Sequence, residues 1–226
     1  MTKTYRILPY FFAAFFVIAI YCFYQSYFGQ FPDFKNVISP IGNVPITITT
    51  TTHFHAIILV IWLLILIVQP ILIINKKVAW HRIVGKFSYL IIALMVLSLV
   101  LIINQEQSRV KNLPVFAANL FDFPVFLVFY GLAIYFRKKP AYHARFMIMS
   151  VLPFINPALA RLGISGVPIQ IGFWLLFFVI EFFNRKVYKP YLIGLGYYIF
   201  NLLAVFGLFM LSQPTLEKIW EVFWGK

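Results

Sequence analysis

Four histidines, six acidic residues and one cysteine hold most of the reactive chemistry in this chain of 226 residues. His55, Trp62 and Gln69 recur at intervals of seven, which places them on one stripe of a helix. His143, Met147, Ser150, Phe154, Pro157 and Arg161 follow alternating steps of four and three, a second stripe about 27 Å long at the helical rise. His81, Gly85 and Ser88 make a third. These three faces are expected to meet inside a bundle. His53 and His55 stand about 200° apart on an ideal helix, so only one can face inward; His55 shares the polar stripe and is the better candidate.

All of these residues lie in or beside long apolar runs. An ionisable group in such a run is costly and marks a candidate site. Depth sorts the candidates into two layers. The outer one holds His53, His55, Asp122, Asn156 and Arg161, with Asn119 one turn from Asp122 on the same face. The inner one holds Gln69, His81, Arg82, His143, Arg145 and Glu181. Each has a structural reading as well: Asp122 with Arg161 as an ion pair that fixes packing, and Glu181 with Arg185 as an i, i+4 pair. His55 and Asp122, with His53, could bind zinc and activate water for hydrolysis, although three ligands are the minimum for that chemistry.

The elements that must position these groups are membrane spans. The chain is 62% hydrophobic and 11% charged, against roughly half and a quarter in a soluble domain. A chain this short cannot hide that excess in one soluble core. Crossing about 30 Å of hydrocarbon takes about 20 apolar residues, and seven stretches qualify: 8–28, 55–74, 87–103, 116–136, 146–162, 169–183 and 191–211. The expectation is an all-α, polytopic membrane bundle, a single transmembrane domain over 1–226. Pro124, Pro153 and Pro157 fall inside spans and predict kinks. The loop from Gly29 to Thr52 is long enough to cap one end. Residues 214–226 carry Trp220, Phe223 and Trp224 beside Glu217, Lys218 and Glu221, the pattern of a short interfacial helix.

The net charge of +13 reflects topology rather than nucleic-acid binding. Alternate loops hold thirteen of the nineteen Lys and Arg residues: Lys3, Arg6, Lys76, Lys77, Arg82, Lys86, Arg137, Lys138, Lys139, Arg145, Arg185, Lys186 and Lys189. The other side holds Lys35, Arg109, Lys111, Arg161, Lys218 and Lys226. The excess puts the N-terminus in the cytoplasm and, with seven crossings, the C-terminus outside. Phe11–Tyr24 has the basic start of a signal peptide but no small-residue cleavage site after it, so it reads as a retained span. Cys22 alone allows no disulfide within the chain and no cysteine metal site.

Several motifs occur in a fixed order. They are His53-Phe54-His55, Trp62, Gln69-Pro70, the run Trp80-His81-Arg82-Ile83-Val84-Gly85-Lys86, then His143-Ala144-Arg145-Phe146-Met147, and Pro157-Ala158-Leu159-Ala160-Arg161. Over His53 to Lys189 this resembles a family of bacterial multi-pass membrane proteins, which implies an inner-membrane location and no settled activity. More distantly, His-Arg-x-x-Gly and His-x-Arg-Phe-Met at span entrances resemble the haem-handling bundles of the cytochrome b561 type. That likeness implies one b-type haem held by His81 and His143, serving quinone-linked electron transfer, or the assembly of a haem or respiratory membrane protein. Two haems would need four histidines on four helices, and here two share one helix end. Bis-histidine ligation suits a low-spin carrier, and Gln69 and Glu181 could accept from the second ring nitrogens.

A transporter, lipid-binding or accessory protein is the remaining class, with Asp122 and Arg161 lining a polar cavity and the kinked fifth span moving. No inverted repeat is visible. A retinal protein would need a lysine in the last span, and 191–211 has none. Phosphate-binding glycine loops and Gly-x-Ser-x-Gly are absent from the sequence.

Overall fold

The computed structural model describes residues 3–35, 37–39, 45–109, 111–185 and 187–225. Lys186, Lys226 and residues 40–44 of the long loop, all used in the topology and capping arguments, lie outside the described residues. Among the described residues the chain forms nine α-helices: α1 Lys3–Cys22, α2 Thr50–Ile74, α3 Val78–Arg109, α4 Leu113–Tyr135, α5 Pro140–Met149, α6 Ile155–Ala160, α7 Gly166–Phe183, α8 Lys189–Leu211 and α9 Gln213–Trp224. No strand forms there; Ile38 and Pro45 make an isolated antiparallel bridge.

Five helices, α2, α3, α4, α7 and α8, are long and apolar enough to cross a membrane. Their positions follow the apolar stretches, with two to nine further residues at several ends. The extensions come from capping and polar turns that hydropathy does not register. α2 begins at Thr49, whose hydroxyl accepts from Thr52 N while the Thr52 hydroxyl accepts from Thr49 N, satisfying two donors at the helix start. α4 begins at Asn112, whose side chain accepts from Val115 N, with Pro114 in the first turn where its missing N–H costs nothing.

Two stretches depart from expectation. The first helix ends at Cys22, so the apolar segment Arg6–Cys22 is shorter than the span expected over 8–28. The fifth is not one helix over 146–162 but α5, a 3-10 turn at Leu152–Phe154 and α6. Pro153 has no N–H to give the carbonyl four residues before it, and Pro157 repeats the defect one turn later. The break is therefore sharper than a kink. The chain tightens to i, i+3 bonds, Val151 N to Ile148 O and Phe154 N to Val151 O. Pro124, by contrast, lies within a single uninterrupted α4.

The contacts gather into two compact units, residues 1–106 and 107–226. In the first, α1 packs along α2, and α2 runs antiparallel to α3. Polar contacts track that hairpin: Thr49 Oγ1 donates to Gln105 Oε1 at 2.7 Å, His55 meets Ser98, and Gln69 meets His81. Each step along α2 is matched by a step back along α3. In the second unit α4 packs against α5, α8 and α9, and α6 against α7. Its interior is aromatic, with Phe126, Phe129, Phe146, Trp174 and Tyr198 fully buried.

Candidate functional site

The second unit contains a polar centre at the break in the fifth segment. Asp122 stands about 14 Å from the start of α4, a helix about 35 Å long. Asn156, at the start of α6, donates Nδ2 to Asp122 Oδ1 at 2.9 Å. The Gln170 side chain from α7 lies alongside the carboxylate. Gln170 is fully buried; its Nε2 donates to Leu152 O at 2.8 Å, a carbonyl of the 3-10 turn, and its Oε1 accepts from the Tyr198 hydroxyl. Asn201 on α8 donates to Phe121 O at 2.8 Å. The buried Nδ2 of Asn119 meets no acceptor among the described residues.

The break and the carboxylate thus belong to one arrangement. Irregular backbone inside a bundle is tolerated where side chains re-satisfy it, and Gln170 does this for Leu152 O. Gly166 permits the close approach. A Cβ there would come 2.7 Å from Asn156 Cα and 2.9 Å from Asn156 N, so a side chain at 166 would push α7 off α6.

Asp122 takes its hydrogen bonds from amides rather than from Arg161, which corrects the expected ion pair. Arg161 instead gives Nη1 to Pro157 O within its own turn. The short α6 supplies the reason: it ends at Ala160, so the Pro157 carbonyl is among its last four, which lack an intrahelical amide.

A second cluster lies at the other end of the unit. Arg145 Nε sits 2.5 Å from Glu181 Oε1, with both side chains largely out of solvent. Its Nη1 donates to Ala141 O, and its guanidinium lies 3.6 Å above the Tyr188 ring. Glu181 Oε2 accepts from Tyr188 N at 2.7 Å, which ties down the connection into α8. Both residues belonged to the expected inner layer. The expected partner Arg185 is replaced by Arg145: Arg185 lies past the end of α7 with φ 53, an exposed position after the helix has turned.

His143 gives Nδ1 to Ala133 O at 2.8 Å. A carbonyl only accepts, so the proton sits on Nδ1 and the basic lone pair on Nε2. Glu181, expected to support a histidine ring, is engaged by Arg145 and Tyr188 instead.

In the first unit, Ser98 donates its hydroxyl to Met95 O, so His55 Nδ1 is the donor in its 3.0 Å contact with Ser98 Oγ. His53 points elsewhere, as the helical angle required, against Tyr27 and Phe34. Gln69 lies over Gly85 and donates to the His81 backbone carbonyl at 3.3 Å, not to the His81 ring. Trp62 is 1% exposed. The His55 and His81 faces therefore meet within this unit, while the His143 face belongs to the other. Among the described residues no three His, Cys, Asp or Glu side chains gather as a metal site.

Gln170, Tyr198 and Asn201 were not singled out from the sequence. The available signal was a neutral polar group inside an apolar run, which a search for ionisable groups passes over. No family model matches this chain, and no curated protein or solved structure matches it either.

Proposed function

We propose that this chain crosses the bacterial inner membrane seven times, with its N-terminus in the cytoplasm and its C-terminus outside, and that its second unit passes protons through Asp122. The orientation rests on the excess of Lys and Arg on the N-terminal side. α1 and the α5–α6 segment supply the two crossings beyond the five long helices. One observation carries the transport reading: a carboxylate near the middle of a long apolar helix is met by an amide where the neighbouring helix breaks. Ionisable groups at that depth mark proton and ion routes, and broken helices form the sites of membrane carriers. The groups around Asp122 are amide donors, not the oxygen shell that a hard cation requires. Asn119, one turn before Asp122, adds a buried donor that meets no acceptor among the described residues.

Purified protein in pyranine-loaded liposomes, driven by a potassium diffusion potential, tests this. Wild type acidifies the lumen faster than empty vesicles. Asp122→Asn still accepts from Asn156, so it folds, but the flux disappears. Equal flux in the two proteins would reduce Asp122 to a packing group. Asp122→Leu strands the Asn156 donor and costs about 1–3 kcal/mol of stability besides.

A second reading has its own observation. His143, with Nδ1–H held by a backbone carbonyl, has the arrangement typical of a ligating histidine. It would help hold one b-type haem in quinone-linked electron transfer or haem-protein assembly. When bound, that group would supply one-electron chemistry. His81, the other expected ligand, belongs to the first unit. Absorption spectra and a pyridine haemochrome assay on protein expressed with added haem decide it: near-stoichiometric haem lost in His143→Ala supports the reading, and haem-free protein ends it.

A further inference from the structure

We infer that α9 lies in the plane of the membrane interface with three distinct faces, and that the strip formed by Val222 and Phe223 meets the lipid acyl boundary. The inference rests on the multi-pass reading but not on Asp122 or haem.

The first face is docked. Leu216 is fully buried against Phe116 and Ala117 of α4, and Val205 and Phe209 of α8 join the same cluster. Trp220 donates Nε1 to Gln107 Oε1 at 2.8 Å, which fixes the rotation of the helix. At about 100° per residue, Glu217, Glu221 and Lys218 then fall on one flank of the docked seam. Val222, Ile219 and Phe223 fall on the opposite flank. The charged flank is claimed by Lys111, 3.7 Å from Glu217 and 3.8 Å from Glu221. On the apolar flank Ile219 packs on the edge of the docked cluster, whereas Val222 is 79% and Phe223 69% exposed.

One flank suited to water and one suited to hydrocarbon, on opposite sides of a seam, fit a helix lying along a bilayer surface. The occupant of the apolar flank follows from its neighbour. α9 begins two residues after α8 ends and packs on it. α8 is a candidate span whose Leu203, Phe206, Met210 and Leu211 are themselves exposed. The strip on α9 continues that lipid-facing surface around the turn at Ser212.

Site-directed spin labelling tests this. The only cysteine, Cys22, is 2% exposed, so it can be replaced by alanine, or retained as a shielded thiol if that variant does not fold. Nitroxides at positions 222, 223, 218 and 221 are compared in phosphatidylcholine–phosphatidylglycerol vesicles by power saturation with oxygen and with a water-soluble nickel chelate. The oxygen-to-nickel accessibility ratio at Val222→Cys and Phe223→Cys should exceed that at Lys218→Cys and Glu221→Cys by about threefold or more. Water-like ratios at all four sites would overturn the inference, as would oxygen-dominated ratios at all four. Labels at 222 and 223 shielded from both reagents would mean protein contact and would overturn it too.

Discussion

Removing Arg145 should be among the most damaging single truncations in the second unit. Its Nε lies 2.5 Å from Glu181 Oε1, and the two side chains are 13% and 5% exposed. Arg145→Ala leaves Glu181 with only the Tyr188 N–H, at 2.7 Å, to offset a buried charge. Breaking one partner of such a pair costs about 3–5 kcal/mol. The guanidinium over the Tyr188 ring is lost as well, a further 0.5–2 kcal/mol or so. Glu181→Gln is milder, because the amide oxygen can still accept from Tyr188 N or Arg145; about 1–3 kcal/mol is expected for the lost charge assistance. Replacing both, as Arg145→Ala with Glu181→Gln, removes the stranded charge along with its partner. The double variant should then be more stable than the sum of the single losses predicts, by roughly 2–3 kcal/mol. Unfolding in mixed micelles with increasing dodecyl sulfate, followed by tryptophan fluorescence, gives the four free energies. A loss below about 1 kcal/mol for Arg145→Ala, or strict additivity in the double variant, would refute the claim that this pair is buried and coupled.

Two other substitutions probe the packing that positions the site. Gly166→Ala places a Cβ against the Asn156 backbone and should cost about 1–3 kcal/mol by overpacking, with proton flux falling in parallel because Asn156 serves Asp122; an unchanged melting temperature would contradict the close approach. Lys111→Ala loses half-exposed pairs, about 0–1 kcal/mol, and an ammonium 5.2 Å from the Trp220 ring, about 0.5–1 kcal/mol, whereas Leu216→Ala empties a fully buried position and should cost about 2–5 kcal/mol. The reverse order in thermal melts would show that charge, not apolar packing, holds α9.

The existence and order of the helices were legible because a bilayer imposes a length on every crossing. Thus 55–74 and 191–211 lie inside Thr50–Ile74 and Lys189–Leu211. Hydropathy does not register backbone chemistry, so it extended the first stretch past Cys22 and joined α5 to α6. The prolines announced trouble in the fifth segment. How severe it became depended on Gln170, whose amide takes Leu152 O from 18 positions away. Partners were less legible than faces. Helical periodicity assigns residues to a stripe but does not say which stripe of which helix lies opposite. Arg145 with Glu181 and Asp122 with Asn156 therefore pair residues that the sequence had singled out, while Arg185 and Arg161 had been the charged partners considered.

The residues that sequence reading overlooked share one property: they are polar but uncharged at neutral pH. In hydrocarbon a carboxamide or phenol without a partner also costs several kcal/mol, so Gln170, Tyr198 and Asn201 needed partners as surely as Asp122 did. Each found one at or beside the polar centre: Leu152 O and the Tyr198 hydroxyl for Gln170, and the carbonyl preceding Asp122 for Asn201. Together they place the break, the carboxylate and three helices in one hydrogen-bonded set. Exchanging Asp122 for asparagine leaves that set intact and removes its one carboxyl group, which is why that single substitution separates a proton route from a packing motif.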